Sequence, residues 1–213
     1  MPVIVSIVGH SHSGKTTFIE KLIPELKSRG YRVATIKRAQ EITTSDAEKD
    51  NRRHLKAGSE VAVVCSPEEM MLIKPVTSAM TIDEIVPFLG EDYDIIITEG
   101  FKRDDAPKIE VHRKEIGPPL KDIKKLFAIV TDEPLETKAR QFSFDDVKGL
   151  ADLLEEGFIK PQSERISLYV NNTPIILTSF PKDIIVNVLT AMVSSLKGVG
   201  KVSSLKIFLR KRD

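Results

Sequence analysis

Cysteine is almost absent from this chain of 213 residues, in which Cys65 is the only one. A single cysteine excludes a disulfide bond within the chain and is typical of a reducing compartment. Because Cys65 follows the apolar run at residues 61–64, we expect it to be a small buried core residue rather than a nucleophile.

Net charge and long apolar runs are also missing. The 32 Lys and Arg residues nearly cancel the 31 Asp and Glu residues, so the overall charge does not predict binding to nucleic acid or to an anionic membrane. No apolar run approaches the roughly 20 residues that cross a bilayer, and no basic signal-peptide region precedes the first apolar run. We therefore expect a cytoplasmic protein with no nucleic-acid and no membrane partner.

A phosphate-binding motif stands near the N-terminus. An apolar run at residues 3–8 precedes it and a helical pattern follows it from Phe18, so the motif has the strand-loop-helix setting of a Walker A loop. Glycines let the backbone amides wrap a polyphosphate, and the helix N-terminus adds partial positive charge. We predict that Lys15 neutralises the β- and γ-phosphates of a nucleotide and that Thr16 binds Mg²⁺. The predicted nucleotide-binding loop consists of Gly9, His10, Ser11, His12, Ser13, Gly14, Lys15, Thr16 and Thr17.

A second informative segment, residues 94–100, contains the apolar run Ile95-Ile96-Ile97 and ends in Glu99 and Gly100. Its composition is typical of a central strand that is buried on both faces. Ligands of open α/β sheets bind beyond the carboxyl ends of the strands, which predicts that Glu99 lies beside the phosphate loop. There it could hold Mg²⁺ or orient an attacking water, and the alternative is a strand-ending acid paired with a surface lysine.

Strand, helix and strand alternate over residues 3–37, which is the pattern of a βαβ unit. With the Walker A loop, this pattern predicts an α/β fold of the P-loop NTPase class, with a mostly parallel sheet and helices on both faces. We expect a nucleotide-binding domain at residues 1–158 and a small ββαβ extension at residues 159–213. The predicted elements of the extension are a hairpin at 166–177, a helix at 183–196 and a last strand at 204–209.

The middle of the chain carries further local signals. Two short strands are predicted at residues 60–65 and 70–74, with a turn between them. A helix should begin after Thr81 as its N-cap, because Glu84 stands where a capping box requires it.

Several blocks together resemble a known family. These are the phosphate loop, the strand end at residues 36–37, the segment 49–58, and the run 93–102 with residues 107–109 behind it. Spanning about residues 3–135, they are similar to the molybdopterin-guanine dinucleotide biosynthesis protein B family. The Walker A loop is shared with many unrelated enzymes, whereas the block at residues 93–102 is not. The C-terminal unit resembles an extension found in only some members.

The resemblance implies a GTP-binding protein with weak GTP hydrolysis, usually a homodimer, that uses Mg²⁺. Such a protein would assist the molybdenum cofactor guanylyltransferase, which joins GMP to molybdopterin; molybdopterin itself or a molybdoenzyme are further candidate partners. Lys15 and Glu99 would carry any catalysis. The remaining residues that the resemblance places at the site are Lys37, Lys49, Asp50, Gly100 and Lys102.

Two of the residue roles that the resemblance implies stay open. Arg38 to Gln40 and Glu48 stand where the family often has histidines and a glycine. Asp132 ends a predicted strand where P-loop GTPases place the acid that pairs with guanine N1 and N2, but the chain lacks an Asn-Lys-x-Asp block, so a structural cap is the alternative.

No arginine finger is identifiable, and the candidates are Arg38, Arg52, Arg53 and Arg103. We therefore expect slow hydrolysis that a partner accelerates. Three functions are alternatives to a weak GTPase that assists the guanylyltransferase. They are a metallochaperone-type GTPase, an ATP-dependent ligase resembling dethiobiotin synthetase, and an adaptor in which the nucleotide only stabilises a docking surface.

Overall fold

The computed structural model describes residues 2–42, 47–90, 92–162, 166, 168–171, 173–175, 177–202, 205 and 207. They fall into two compact units, Pro2–Pro161 and Gln162–Asp213. The domain boundary that the sequence suggested after residue 158 stays a prediction.

The first unit is built on a sheet of six parallel strands. In chain order, the strands of this unit are β1 (Val3–Val8), β2 (Val33–Lys37), β3 (Ala62–Cys65), β4 (Met70–Ile73), β5 (Ile95–Glu99), β6 (Lys108–Val111), β7 (Leu126–Val130) and β8 (Arg140–Phe142). The six-stranded sheet has the order β2-β5-β1-β6-β7-β8. Every neighbouring pair in it is parallel, which confirms the predicted α/β class. The strand β8 has only three residues and was not predicted from the sequence.

Helices cover both faces of this sheet, as predicted. The helices of this unit are α1 (Lys15–Ser28), α2 (Ala47–Lys56), α3 (Ile82–Leu89) and α4 (Val147–Leu154), of which α1 and α4 cover one face and α3 the other. Ile95 and Ile97 of β5 pack in the core under α1 and α4, whereas Ile96 packs on the opposite face under α3. This alternation explains why the central strand is apolar throughout, since side chains of a strand point to opposite faces in turn.

The predicted capping box begins α3. The Thr81 hydroxyl accepts a hydrogen bond from the Glu84 amide, and the Glu84 carboxylate accepts one from the Thr81 amide at 2.7 Å. The bonds that the Thr81 amide and hydroxyl donate to the Glu84 carboxylate hold the pKa of Glu84 below its ordinary value. The two reciprocal bonds satisfy amide groups that the first helical turn would leave without partners.

Charged side chains link the C-terminal end of α1 to α4. The Arg29 guanidinium donates to Glu25 at 2.8 Å, to Asp152 at 2.7 Å and to Glu155 at 2.8 Å. The bond from Arg29, with a second from Lys160, lowers the pKa of Glu155 to about 2. This network fixes the two helices that cover the same face of the sheet.

The strands β3 and β4 form a separate antiparallel hairpin, closed by a bond from the Ser66 amide to the Glu69 carbonyl at 2.8 Å. The expectation that Cys65 is buried was wrong, because the residue lies exposed on this hairpin. The reason is that β3 pairs with β4 rather than with the central sheet. Residues Val63, Cys65, Met70 and Leu72 are exposed on one face of the hairpin, and we call this set the hairpin face.

The second unit contains an antiparallel pair, β9 (Leu168–Val170) and β10 (Thr173–Ile175), followed by α5 (Ser179–Ser194). A hairpin and a helix were predicted here, although α5 begins earlier than expected. The last strand predicted at 204–209 lies outside the described residues, of which only Leu205 and Ile207 fall in that range. Within the described residues, we find no helix that is both long and apolar enough to cross a membrane.

Candidate functional site

The phosphate loop connects β1 to α1. Gly9 has a φ of 154° and Gly14 a φ of 90°, both in the region that favours glycine. A Cβ atom on Gly9 would also run into the carbonyl oxygen of Val111 on the neighbouring β6. Both glycines are therefore required by the path of the backbone. Helix α1 starts directly behind the loop, with the Phe18 amide donating to the Gly14 carbonyl at 2.9 Å.

Lys15 folds back over the loop from the first turn of α1. Its ammonium donates to the His10 carbonyl at 2.6 Å. Burial lowers the pKa of Lys15, the carboxylate of Glu99 opposes this shift, and the cations of Lys102 and Lys37 add to it. Three positive side chains therefore surround the mouth of the loop, an arrangement that favours a polyanion. The side chains of Ser11, His12, Thr16 and Thr17 are exposed, whereas that of Ser13 is buried.

Thr16, Lys37 and Glu99 meet in a compact cluster. The parallel register places Lys37 and Ile7 on either side of Glu99, which brings Glu99 to the carboxyl edge beside β1. The Thr16 hydroxyl lies 3.0 Å from both carboxylate oxygens of Glu99. The Lys37 ammonium lies 3.2 Å from the Thr16 hydroxyl and 3.2 Å from Glu99 Oε2. A hydroxyl and a carboxylate are hard oxygen donors of the kind that Mg²⁺ binds, so these residues fit the expected ion.

Behind Glu99 the chain turns sharply. Gly100 has a φ of 98° and donates its amide to the Ile7 carbonyl at 2.9 Å, and Phe101 is buried with a φ of 54°. This turn places Lys102 near enough to Lys15 to lower its pKa. Arg38, a candidate arginine finger, instead covers the Phe101 ring at 4.1 Å and donates to the Met80 carbonyl at 2.9 Å.

Asp50, expected across the loop, is exposed on α2. Its carboxylate lies 3.4 Å from a guanidinium nitrogen of Arg53, and no contact with the phosphate loop is found among the side chains that are described. The side chain of Lys49 lies outside the described residues. The neighbouring Asn51 is the buried member of this segment, and its amide nitrogen has no hydrogen-bond partner within the described ranges.

Three side chains from separate strand ends meet on the other flank of the loop: Arg113 behind β6, Asp132 behind β7 and Phe144 behind β8. The Arg113 guanidinium stacks 4.1 Å above the Phe144 ring and lies 3.6 Å from Asp132 Oδ2. The other Asp132 oxygen accepts from the Lys114 amide at 2.9 Å. Arg113 and Phe144 were not predicted from the sequence as site residues. Arg113 could have been found, because ligands of open α/β sheets bind beyond the carboxyl ends of the strands and Arg113 follows the end of β6 as Glu99 ends β5.

Buried polar residues in and directly behind β6 hold the segments that follow β6 and β7. Glu110 accepts a hydrogen bond from the Leu120 amide at 2.7 Å, and the buried His112 ring lies 3.0 Å from Glu133. The His10 ring of the phosphate loop contacts the Pro118 carbonyl at 3.1 Å. The loop is therefore tied to the 113–125 segment on the flank that carries Arg113.

Comparison with known proteins gives consistent results. The profile of a family described as Molybdopterin guanine dinucleotide synthesis protein B matches residues 4–132. The chain is 33% identical, over 159 residues, to the molybdopterin-guanine dinucleotide biosynthesis adapter protein of Haemophilus influenzae, covering 71% of this chain and 87% of that protein. The adapter protein of Escherichia coli is 29% identical over 162 residues, which cover 72% of this chain and 91% of the relative.

Solved structures agree with these relatives. The crystal structure of a molybdopterin-guanine biosynthesis protein B is similar with a TM-score of 0.60 and 31% identity, covering 73% of this chain and 100% of that chain. The crystal structure of Bacillus subtilis MobB has a TM-score of 0.56 and 27% identity, covering 73% of this chain and 97% of that chain.

Proposed function

Because this chain belongs to the molybdopterin guanine dinucleotide synthesis protein B family, and so takes part in molybdopterin guanine dinucleotide biosynthesis as an adapter protein, we propose that it does so by binding GTP. Weak hydrolysis of that GTP accompanies its assistance to the guanylyltransferase that attaches GMP to molybdopterin. The observation that carries this proposal is the meeting of Lys15, Thr16 and Glu99 at one edge of the sheet.

Each group has a role that its position supports. The loop amides and Lys15 bind the β- and γ-phosphates, and Lys37 and Lys102 add positive charge at the same mouth. Thr16 and Glu99 would hold Mg²⁺, which when bound neutralises phosphate charge. Glu99 is also the carboxylate that could orient a water toward the terminal phosphate.

Slow turnover in isolation is expected because two of the four candidate arginines are engaged away from the terminal phosphate. Arg38 is engaged with Phe101 and Met80, and Arg53 pairs with Asp50 on the exposed face of α2. An arginine that reaches the terminal phosphate accelerates such reactions by orders of magnitude. We propose that the partner transferase supplies this group or reorganises one of this chain's own arginines.

Nucleotide titration tests the proposal. We expect the protein with Mg²⁺ to bind GTP at least about tenfold more tightly than ATP, since one or two hydrogen bonds to the base are worth that ratio. GTP turnover should rise when the guanylyltransferase is added. Equal affinity for the two nucleotides would contradict GTP selectivity. ATP preference with a carboxylated product would instead support the ligase, and transferase stimulation without GTP turnover would support a non-catalytic adaptor.

We also propose that the protein is a homodimer in which a second copy covers the hairpin face. A two-stranded hairpin that exposes apolar side chains is marginal by itself. Met70 is 69% exposed and Leu72 is 40% exposed on that face. Light scattering during gel filtration should give a dimer for the native protein and a monomer for the double variant Met70→Glu/Leu72→Glu. The turn variant Glu68→Ala should remain dimeric, and a dimeric double variant would place the interface elsewhere.

A further inference from the structure

The structure places Arg113 against the phosphate loop. The position that a Cβ atom of Gly14 would occupy is 3.6 Å from Arg113 Nε and 3.8 Å from Arg113 Nη2. Gly14 is the loop residue directly before Lys15, so the guanidinium lies beside the turn that would wrap the phosphates. Two-thirds of the Arg113 side chain is buried, since 35% of it is exposed.

The guanidinium is fixed by its neighbours. Phe144 supports one face of it at 4.1 Å, and the Phe144 ring is itself held by an edge contact with Phe18 of α1 at 6.4 Å between ring centres. Asp132 lies 3.6 Å away, within ion-pair range but beyond a hydrogen bond. A stacked guanidinium loses little conformational freedom when it binds a ligand, because it is already oriented.

The N–H donors of Arg113 are left open to solvent by this arrangement and are available to a ligand. A guanidinium has five N–H donors, and within residues 2–42, 47–90 and 92–162 we find no hydrogen bond from Arg113 to a carbonyl or side-chain oxygen. The loop amides and the start of α1 are electropositive as well. A partly buried, oriented arginine with available donors beside positive groups is suited to bind an anion there.

The two flanks of the loop carry different groups. Lys15, Lys37 and Lys102 gather with Glu99 on the β5 side, where the terminal phosphate and the metal ion are expected. Arg113 stands on the β6 to β8 side, where it contacts Phe144 and Asp132 beside Gly14. An anion on this side is therefore a phosphate nearer the nucleoside.

We infer that the Arg113 guanidinium donates hydrogen bonds to a phosphate that GDP and GTP have in common. This inference rests on the proposed binding of a nucleotide by the loop. Arg113 is then a binding residue in the same chain, oriented by Phe144 and Asp132, rather than an arginine finger for the terminal phosphate.

Calorimetric titration of the full chain with GDP and with GTP tests the inference. We expect Arg113→Gln to weaken both nucleotides by the same factor, about 10-fold to 100-fold, as the loss of charge-assisted hydrogen bonds predicts. Arg113→Lys should recover only part of the affinity, because an ammonium cannot stack and donate in the same geometry. Arg140→Gln, an exposed arginine at the start of β8, should bind as the native protein does.

Thermal unfolding of each variant separates lost binding from lost folding. If Arg113→Gln does not fold, Phe144→Leu keeps an apolar side chain against Phe18 but removes the ring under the guanidinium, and it should weaken GDP and GTP equally. Unchanged affinities, weakening of GTP alone, or full recovery with lysine would each overturn the inference. The native protein's preference between GTP and ATP is a separate readout, so tight ATP binding that depends on Arg113 would overturn the proposed GTP selectivity and leave this inference standing.

Discussion

Replacing Lys15 with alanine is expected to raise the dissociation constant of GTP by about 100-fold or more, because hydrogen bonds from an ammonium to two phosphates are lost together. The Lys15 ammonium already lies over the loop, where it donates to the His10 carbonyl at 2.6 Å. Phosphate oxygens would replace that neutral acceptor with charged ones. Binding of a fluorescent GTP analogue, with and without Mg²⁺, measures the effect.

Lys21→Ala is the matched control for this variant. Lys21 lies on the same helix, is about half exposed and pairs with Asp145 at 3.2 Å. Its removal should leave the GTP affinity within about twofold of the native value, as expected for an exposed ion pair. If Lys15→Ala bound GTP like the native protein, the loop would not be a nucleotide site and the proposed function would fail.

The pH dependence of binding gives a second readout for Lys15. Burial lowers the pKa of its ammonium, with Glu99 opposing the shift and Lys102 and Lys37 adding to it. Phosphate binding requires the protonated form. The GTP affinity of the native protein should therefore fall on the alkaline side at a lower pH than an ordinary lysine would give, and the Lys15→Met variant should lack that fall.

Local signals in the sequence predicted the parts of this site that depend on neighbouring residues. The Walker A spacing located the loop between β1 and α1, and the Thr81 and Glu84 spacing gave the start of α3, because both patterns are read within a few residues. Glu99 was placed correctly beside the loop from a general rule on strand ends. Its binding role stays a prediction.

The features that the sequence did not reveal depend on tertiary pairing. Arg113 and Phe144 come together only because β6 and β8 lie on one side of β1, and an order of strands cannot be read from residue types. The burial of Cys65 was predicted wrongly for the same reason, because a strand in a central sheet and a strand in an isolated hairpin can have the same apolar sequence pattern. Local sequence patterns therefore predict helices and strands, whereas the pairing of strands decides which side chains are exposed.

The cluster of Thr16, Lys37 and Glu99 leads to the second large effect. The Lys37 ammonium lies 3.2 Å from both the Thr16 hydroxyl and Glu99 Oε2, between the oxygens that fit Mg²⁺. Lys37 is 57% exposed and Glu99 is 15% exposed, so the lysine can withdraw into water whereas the carboxylate cannot. A metal ion and this ammonium would compete for the same carboxylate, since two cations in one small oxygen pocket repel each other.

Glu99→Gln is therefore expected to abolish most of the gain in GTP affinity that Mg²⁺ gives, raising the half-saturating Mg²⁺ concentration by about tenfold or more through loss of a charged ligand. Lys37→Met should do the opposite and lower that concentration by about twofold to fivefold, which is the range of an exposed ion pair. GTP titrations at a series of Mg²⁺ concentrations measure both shifts, and Glu20→Gln, an exposed acid on α1, is the control. Because the two substitutions act on one contact, opposite shifts would identify Lys37 as a competitor of the metal ion. A rise in half-saturating Mg²⁺ in Lys37→Met would instead mean that Lys37 assists metal binding, and this prediction would then be wrong.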